Sequence, residues 1–173
     1  MSTSHKSIWS RPLDLVYFIY FSSHIFATLA IDSQAFLPAE WYPQALRDVL
    51  SFYVHTYKDP FMGNPAYWFK SFVACELIFQ LPFFFYACVS LLKNSQHLQL
   101  PLAIYSAHVA TTVLPLLAEI LFNTSHKLDS AQKVVLCGFY GPYFVLPCIM
   151  LVDSFSQIKS ALGTASKPHL KTQ

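Results

Sequence analysis

Charge is scarce in this sequence. Only 12% of its 173 residues are Asp, Glu, Lys or Arg, while 54% are hydrophobic; an average soluble domain carries roughly 25% charged residues. A soluble domain of this size could not cover its surface with so little charge, which excludes the ordinary cytosolic globular classes. The same figures exclude disorder, which needs low hydrophobicity and high charge. The net charge of +2 is small and evenly spread, so nothing points to a nucleic-acid partner. Glycine is scarce too, with four residues, and no Gly-rich phosphate loop occurs. There is no C-x-x-C or H-x-x-x-H pair and no Ser, His and Asp set. No metal, cofactor or catalytic residue is therefore expected. Cys75, Cys88, Cys137 and Cys148 all fall inside apolar runs and read as small core residues.

What the sequence has instead is long apolar runs. About 20 mostly apolar residues in a helix cross a bilayer. Four stretches meet that length, at about residues 13–31, 68–92, 98–122 and 134–155. The expected fold class is thus an all-α membrane protein, a four-transmembrane-helix bundle with an internal ligand pocket. The first run follows Lys6 and Arg11 and ends near Ala27 and Ala30, features shared with a signal peptide, but its length and the three later spans favour a retained anchor. Pro82, Pro115, Pro142 and Pro147 fall inside spans, where neighbouring helices can satisfy the carbonyls they free. They are expected to kink helices and make room for a cavity. The long connection between the first two spans contains Pro38, Pro43, Pro60 and Pro65 with Trp41, Tyr42, Tyr67 and Trp68. Such residues suit a headgroup-level cap over one mouth of the bundle, with a short helix at about 45–57. Tails at 1–12 and 156–173 complete the chain. Lys6, Arg11, Lys93, Lys159, Lys167 and Lys171 share one side; Arg47, Lys58, Lys70, Lys127 and Lys133 share the other. That bias places both termini in the cytosol. Asn123-Thr124-Ser125 is a sequon on the opposite side, close to the membrane. Lys171, third from the end, is a fragment of a dilysine retrieval signal without its second lysine.

An ionisable side chain at mid-span costs about 2.5 to 3.5 kcal/mol on insertion scales, so each one needs a partner or a purpose. Tyr17, Tyr20, His24 and Thr28 lie three or four apart on one face that ends at Asp32. Glu76 and Gln80 are one turn apart in the second span. His108, Thr112, Pro115 and Glu119 form a stripe on the third, and Tyr140 and Tyr143 flank Pro142 in the fourth. One polar stripe per helix predicts that the stripes converge on a polar-lined pocket; interhelical hydrogen bonding alone is the plainer alternative. Asp59-Pro60 also fits a helix N-cap followed by proline at the first helical position, entering the second span. Glu40 and Asp48 read as solvated loop charges.

The segments Phe21-Ser22-Ser23-His24-Ile25, Asp32-Ser33-Gln34-Ala35, Lys58-Asp59-Pro60, Cys75-Glu76-Leu77, Phe79-Gln80-Leu81-Pro82 and Ile104-Tyr105-Ser106, with Thr112 and Pro142-Tyr143, resemble in their order the EXPERA family, which includes emopamil-binding sterol isomerases. The resemblance covers about residues 13–155. It implies a four-helix endoplasmic-reticulum protein, with nuclear-envelope or endolysosomal membranes as further locations. It implies binding of a sterol or oxysterol and of cationic amphiphilic small molecules, a part in cholesterol homeostasis, a homodimer and a sterol-transporter partner. Carried over by position, Asp32 is the carboxylate that pairs with a ligand's ammonium. Glu76 is its buried, protonated partner, hydrogen-bonded to Asp32, and Asp59 organises the pocket's roof. Gln80, Thr112 and Tyr143 line the pocket, with Tyr53, Tyr140 and His24 as additions. Two carboxylates in one low-dielectric site cannot both ionise cheaply, so a single negative charge walled by aromatic rings would suit one amine. The alternative function is a sterol double-bond isomerase, which needs an acid and a base. Isomerising relatives have a histidine one turn before the glutamate, where this chain has Phe72, so a non-enzymatic binder is expected. Glu119 departs from the family as an additional acid near the luminal mouth.

Overall fold

The computed structural model describes residues 7–165, with the side chains of 7–163. Among the described residues there is no strand. Four helical stretches are long and apolar enough to cross a membrane: Pro12–Ala35, Tyr67–Leu92, Gln96–Phe122 and Ser130–Gly163. The first contains α1 (Pro12–Ala30) and the second α4 (Tyr67–Cys75) and α5 (Leu81–Leu92). The third contains α6 (Gln99–Phe122), and the fourth joins α7 (Ser130–Tyr140) to α8 (Pro142–Ala165). Between the first two spans lie α2 (Gln44–Tyr57) and the single turn α3 (Pro60–Gly63). Four crossings put the two ends of the described segment on one side of the bilayer and this connection on the other. Lys6, Lys167 and Lys171 lie outside the described residues.

The expected spans match in number and order, and two of their details differ. The fourth helix runs to Ala165, well past the expected end of the span at about 155. A helix continues through Ser, Gln and Lys once nucleated, because those residues cost little in propensity; hydrophobicity marked the membrane crossing and not the helix end. In the second span, the chain between Glu76 and Gln80 forms a π-helical turn, with the Leu81 N–H bonding the Glu76 carbonyl. Pro82 has no N–H for the Ile78 carbonyl, and its ring crowds that carbonyl. Widening the preceding turn accommodates both and re-aims Glu76 and Gln80, which lie within it. The fourth span is divided at Gly141-Pro142, between α7 and α8.

Within the bundle α6 packs along α8 and α1 along α5. Aromatic side chains fill the half nearer the termini: Tyr17, Phe21, Phe84 and Tyr105 are buried with Leu98, Leu102 and Met150. A second cluster, with Phe61, Phe69, Val73, Leu116, Ile120 and Leu136, lies under the cap. The cap is tied down by short-range devices. Lys58 ends α2 in the left-handed region, at φ 57°, and reverses the chain. Asp59 then caps α3, accepting from the Phe61 and Met62 N–H groups at 2.8 and 3.1 Å. Asp59-Pro60 is therefore an N-cap as expected, but for this isolated turn and not for the second span, which begins at Tyr67. At Gly63 a Cβ would stand 2.8 Å from Val54 Cγ1, so only glycine lets α3 lie this close to α2. Tyr42 donates to Ser33 Oγ at 2.6 Å, and Gln34 Nε2 donates to the Leu46 carbonyl at 3.2 Å; together they hold the start of the cap against the end of the first span.

Candidate functional site

Between the two clusters lies a cavity of about 640 Å³. The polar face of α1 turns inward as its spacing requires: Tyr17, Tyr20, His24 and Thr28 are all buried. Asp32, one turn beyond Thr28, is half-buried at the cavity wall. From the π-helical turn come Glu76 and Gln80, from α6 Thr112, from the cap Tyr53, and from either side of the α7–α8 break Tyr140 and Tyr143. Val73, Val109, Val113, Leu116 and Phe69 supply apolar wall between them.

The acids sit at the junction of α1 and the second span. Glu76 Oε1 accepts from the Thr28 hydroxyl at 2.5 Å and stands 3.2 Å from His24 Nε2. One ligating atom each from His24, Asp32 and Glu76 lies within 4.8 Å of the others. The carboxyl-to-carboxyl hydrogen bond that the resemblance implied is absent among the described residues. Thr28, one turn before Asp32 on the same face, and His24 both take Glu76 Oε1, which leaves Oε2 without a protein partner among the described residues. The His24 ring stacks on Phe84 at 4.6 Å and leans on Tyr143 at 4.7 Å, which fixes its plane. Its Nδ1 is buried with no partner among the described residues.

Asp59 takes a different place from the other expected site residues. It is buried behind the cavity wall and does not line it. Its Oδ1 caps α3, while Oδ2 accepts from the Tyr53 and Tyr140 hydroxyls, both at 2.8 Å. One carboxylate thus joins the cap helix, the α3 turn and α7, and it positions two phenols that do line the cavity. Burial, and then the Asp59 charge, push the Tyr53 phenol above its ordinary value, so near neutrality it stays a hydrogen-bond donor.

Of the stripe expected on the third span, only Thr112 reaches the cavity. Glu119 instead accepts from Asn123 Nδ2 at 2.6 Å and His126 Nε2 at 3.1 Å, at the exposed end of α6. There it pins the loop after α6, including the sequon asparagine, and is not a second acid at the pocket. His108 Nε2 is buried and without a partner among the described residues, away from the cavity. The cavity meets α6 only between Val109 and Leu116, whereas the stripe runs eleven residues along the helix, about 16 Å at 1.5 Å per residue, so Glu119 lies well beyond the cavity's end. Glu40 and Asp48 are exposed, as expected. The residue missing from the sequence reading is Thr28 as a direct partner of Glu76. Its signal was present, as the residue one turn before Asp32. Asp153 was also missed; it accepts from Tyr17 at 3.3 Å and from Gln157 at 3.1 Å at the far end of the bundle.

Residues 45–154 match the family described as EBP: EXPERA (EXPanded EBP superfamily). Sigma intracellular receptor 2 of Xenopus tropicalis is 41% identical over 153 residues, which are 84% of this chain and 90% of that protein. The Homo sapiens protein of the same name is 41% identical over 144 residues, 78% of this chain and 82% of its own length. Efficient mitochondria targeting-associated protein 19 of Schizosaccharomyces pombe is 32% identical over 163 residues, 90% of this chain and 82% of that protein.

Proposed function

As the chain belongs to the EXPERA family, we propose that it is a receptor-type binder of sterols or oxysterols and of cationic amphiphilic small molecules, acting in cholesterol homeostasis. Endoplasmic-reticulum residence, a homodimer and a sterol-transporter partner belong to the same proposal. The observation that carries it is the pairing of Asp32 and Glu76 in an apolar cavity inside the spans. A volume of about 640 Å³ falls in the range of about 300–1,000 Å³ typical of small-molecule pockets. Two carboxyls so close in an apolar site are costly to ionise together, a cost that an amine on an apolar body would relieve. Tyr20, Tyr53, Tyr140 and Tyr143 in the lining supply aromatic rings, which attract such a cation. A metal ion suits the same three groups less well. Tetrahedral zinc, with ligands at about 2.0–2.2 Å, draws its donor atoms to roughly 3.5 Å apart, a tighter set than one spread over as much as 4.8 Å. Val16 and Ile19 both line the cavity and are exposed on the outer flank of α1, which supports entry of ligands from the bilayer.

The isomerase reading has one observation in its favour. Phe72 lines the cavity where an imidazole would be wanted in the second span, yet the His24 imidazole reaches Glu76 from α1. A sterol product assay separates the two: the binder proposed here produces no shifted double bond, whereas Glu76-dependent turnover would establish the enzyme. The binding reading is tested by saturation binding of a tritiated cationic amphiphile to the detergent-purified chain, with mass spectrometry of the co-purified lipid. Saturable binding displaced by sterol is expected. A phospholipid-filled site without saturable amine binding would overturn it.

A further inference from the structure

Helix α2 has two apolar sides and one polar side. Leu50, Tyr53, Val54 and Tyr57 pack toward the bundle against the cluster that contains Phe61 and Leu136. Ala45, Val49 and Phe52, spaced four and three apart, form a second stripe that nothing covers; Val49 is 52% and Phe52 66% exposed. Gln44, Asp48, Ser51 and His55 are exposed on a third side, where Gln44 bridges Arg47 and Asp48 at 2.6 and 2.7 Å. Turning around the helix, the order is bundle, uncovered apolar stripe, polar stripe. A helix lying flat at a membrane surface beside its own bundle needs that order, because its neighbours are then protein, lipid and water.

The position in the chain agrees. α2 lies between the end of the first crossing at Ala35 and the start of the second at Tyr67, so it sits where two spans leave the hydrocarbon. Around it Phe36, Trp41 and Tyr67 are 49%, 69% and 91% exposed, and Trp and Tyr favour the headgroup level. We infer that the Ala45, Val49 and Phe52 stripe is a bilayer-docking surface, seated against the headgroup and acyl boundary of the leaflet that the cap overlies. The occupant is lipid and not a protein, since α2 joins two membrane spans in the chain and is flanked in sequence by the exposed aromatics Phe36, Trp41 and Tyr67, residues suited to the headgroup level. The roof over the cavity is then held from within by Asp59, through Tyr53, and from the side by the leaflet.

The test places a single tryptophan in a chain whose Trp9, Trp41 and Trp68 are replaced by phenylalanine, reconstituted in phosphatidylcholine vesicles with or without brominated acyl chains. Phe52→Trp and Val49→Trp should lose most of their emission to brominated lipid and little to aqueous iodide; Ser51→Trp should do the reverse. Quenching of Phe52→Trp by iodide alone would mean a solvated face, and quenching by neither would mean a protein partner or a second copy; either overturns the inference. If the tryptophan-free background fails to fold, hydroxyl-radical footprinting of the unmodified chain in nanodiscs gives the same decision. Phe52 should be protected while His55 is oxidised, and equal oxidation of the two would contradict the docking.

Discussion

Glu76 Oε1 receives both the Thr28 hydroxyl and the His24 imidazole, which leaves Oε2 as the atom free to share a proton with Asp32 or meet a ligand. Thr28→Val keeps the shape and removes the donor, at a cost of about 1–3 kcal/mol to the acid it serves. Amine affinity should fall by roughly tenfold or more, and Thr28→Ser should restore it; competition binding on the three proteins is the check, and parent-like binding by Thr28→Val would dismiss Thr28 as a positioning residue. Asp59 calls for a different readout because it touches no cavity. Asp59→Asn removes the charge that two phenols donate to, and weakening two bonds worth up to about 1.5–3 kcal/mol each should lower the melting temperature by roughly 6 °C or more. Because the Tyr53 phenol is raised above 10.0, its contribution to the roof is complete below that pH and is lost only as pH rises through the higher folded value. Any change in amine binding between about pH 6 and 9 therefore does not come from this latch.

The helices were legible in the sequence because hydrophobic length is a property of single segments, and the inward face of α1 because Tyr17, Tyr20, His24 and Thr28 repeat at helical spacing. The π-helical turn was not, since it depends on how Pro82 settles against the carbonyl four residues earlier. Nor was the loss of His108 and Glu119 from the cavity, since the cavity's extent along α6, from Val109 to Leu116, is set by the packing of the other helices. The turn at Glu76–Gln80 suggests a test at this scale. Pro82→Ala restores a donor to the Ile78 carbonyl and lets the helix close to α geometry, rotating Glu76 away from Asp32. The variant should fold at least as well as the parent by thermal melt and bind amine more weakly. Unchanged binding would show that the π turn does not aim the acids.

For the whole molecule, four spans and the lysine and arginine distribution lead us to propose that both termini face the cytosol and the cap faces the lumen. Ser4→Cys and Gln44→Cys chains in intact microsomes decide it with an impermeant thiol reagent, in a background lacking the natural cysteines. Position 4 should be modified and position 44 protected, and the opposite pattern would invert the topology. The site also depends on the whole bundle, because the first span, the second span, the cap and the α7–α8 break each contribute a group that no shorter segment holds. What was carried from family resemblance alone, the role of Asp32 as counter-charge, is the central claim. Asp32→Asn removes that charge with almost no change of shape, so an ammonium entering the pocket would be desolvated without a partner. The most direct measurement is radioligand binding of a cationic amphiphile and of an uncharged ligand of the same shape to parent and Asp32→Asn chains of equal melting temperature. The account predicts a severe loss of the amine with little change for the neutral ligand; Asp32→Asn chains that bind the amine as tightly as the parent would contradict it.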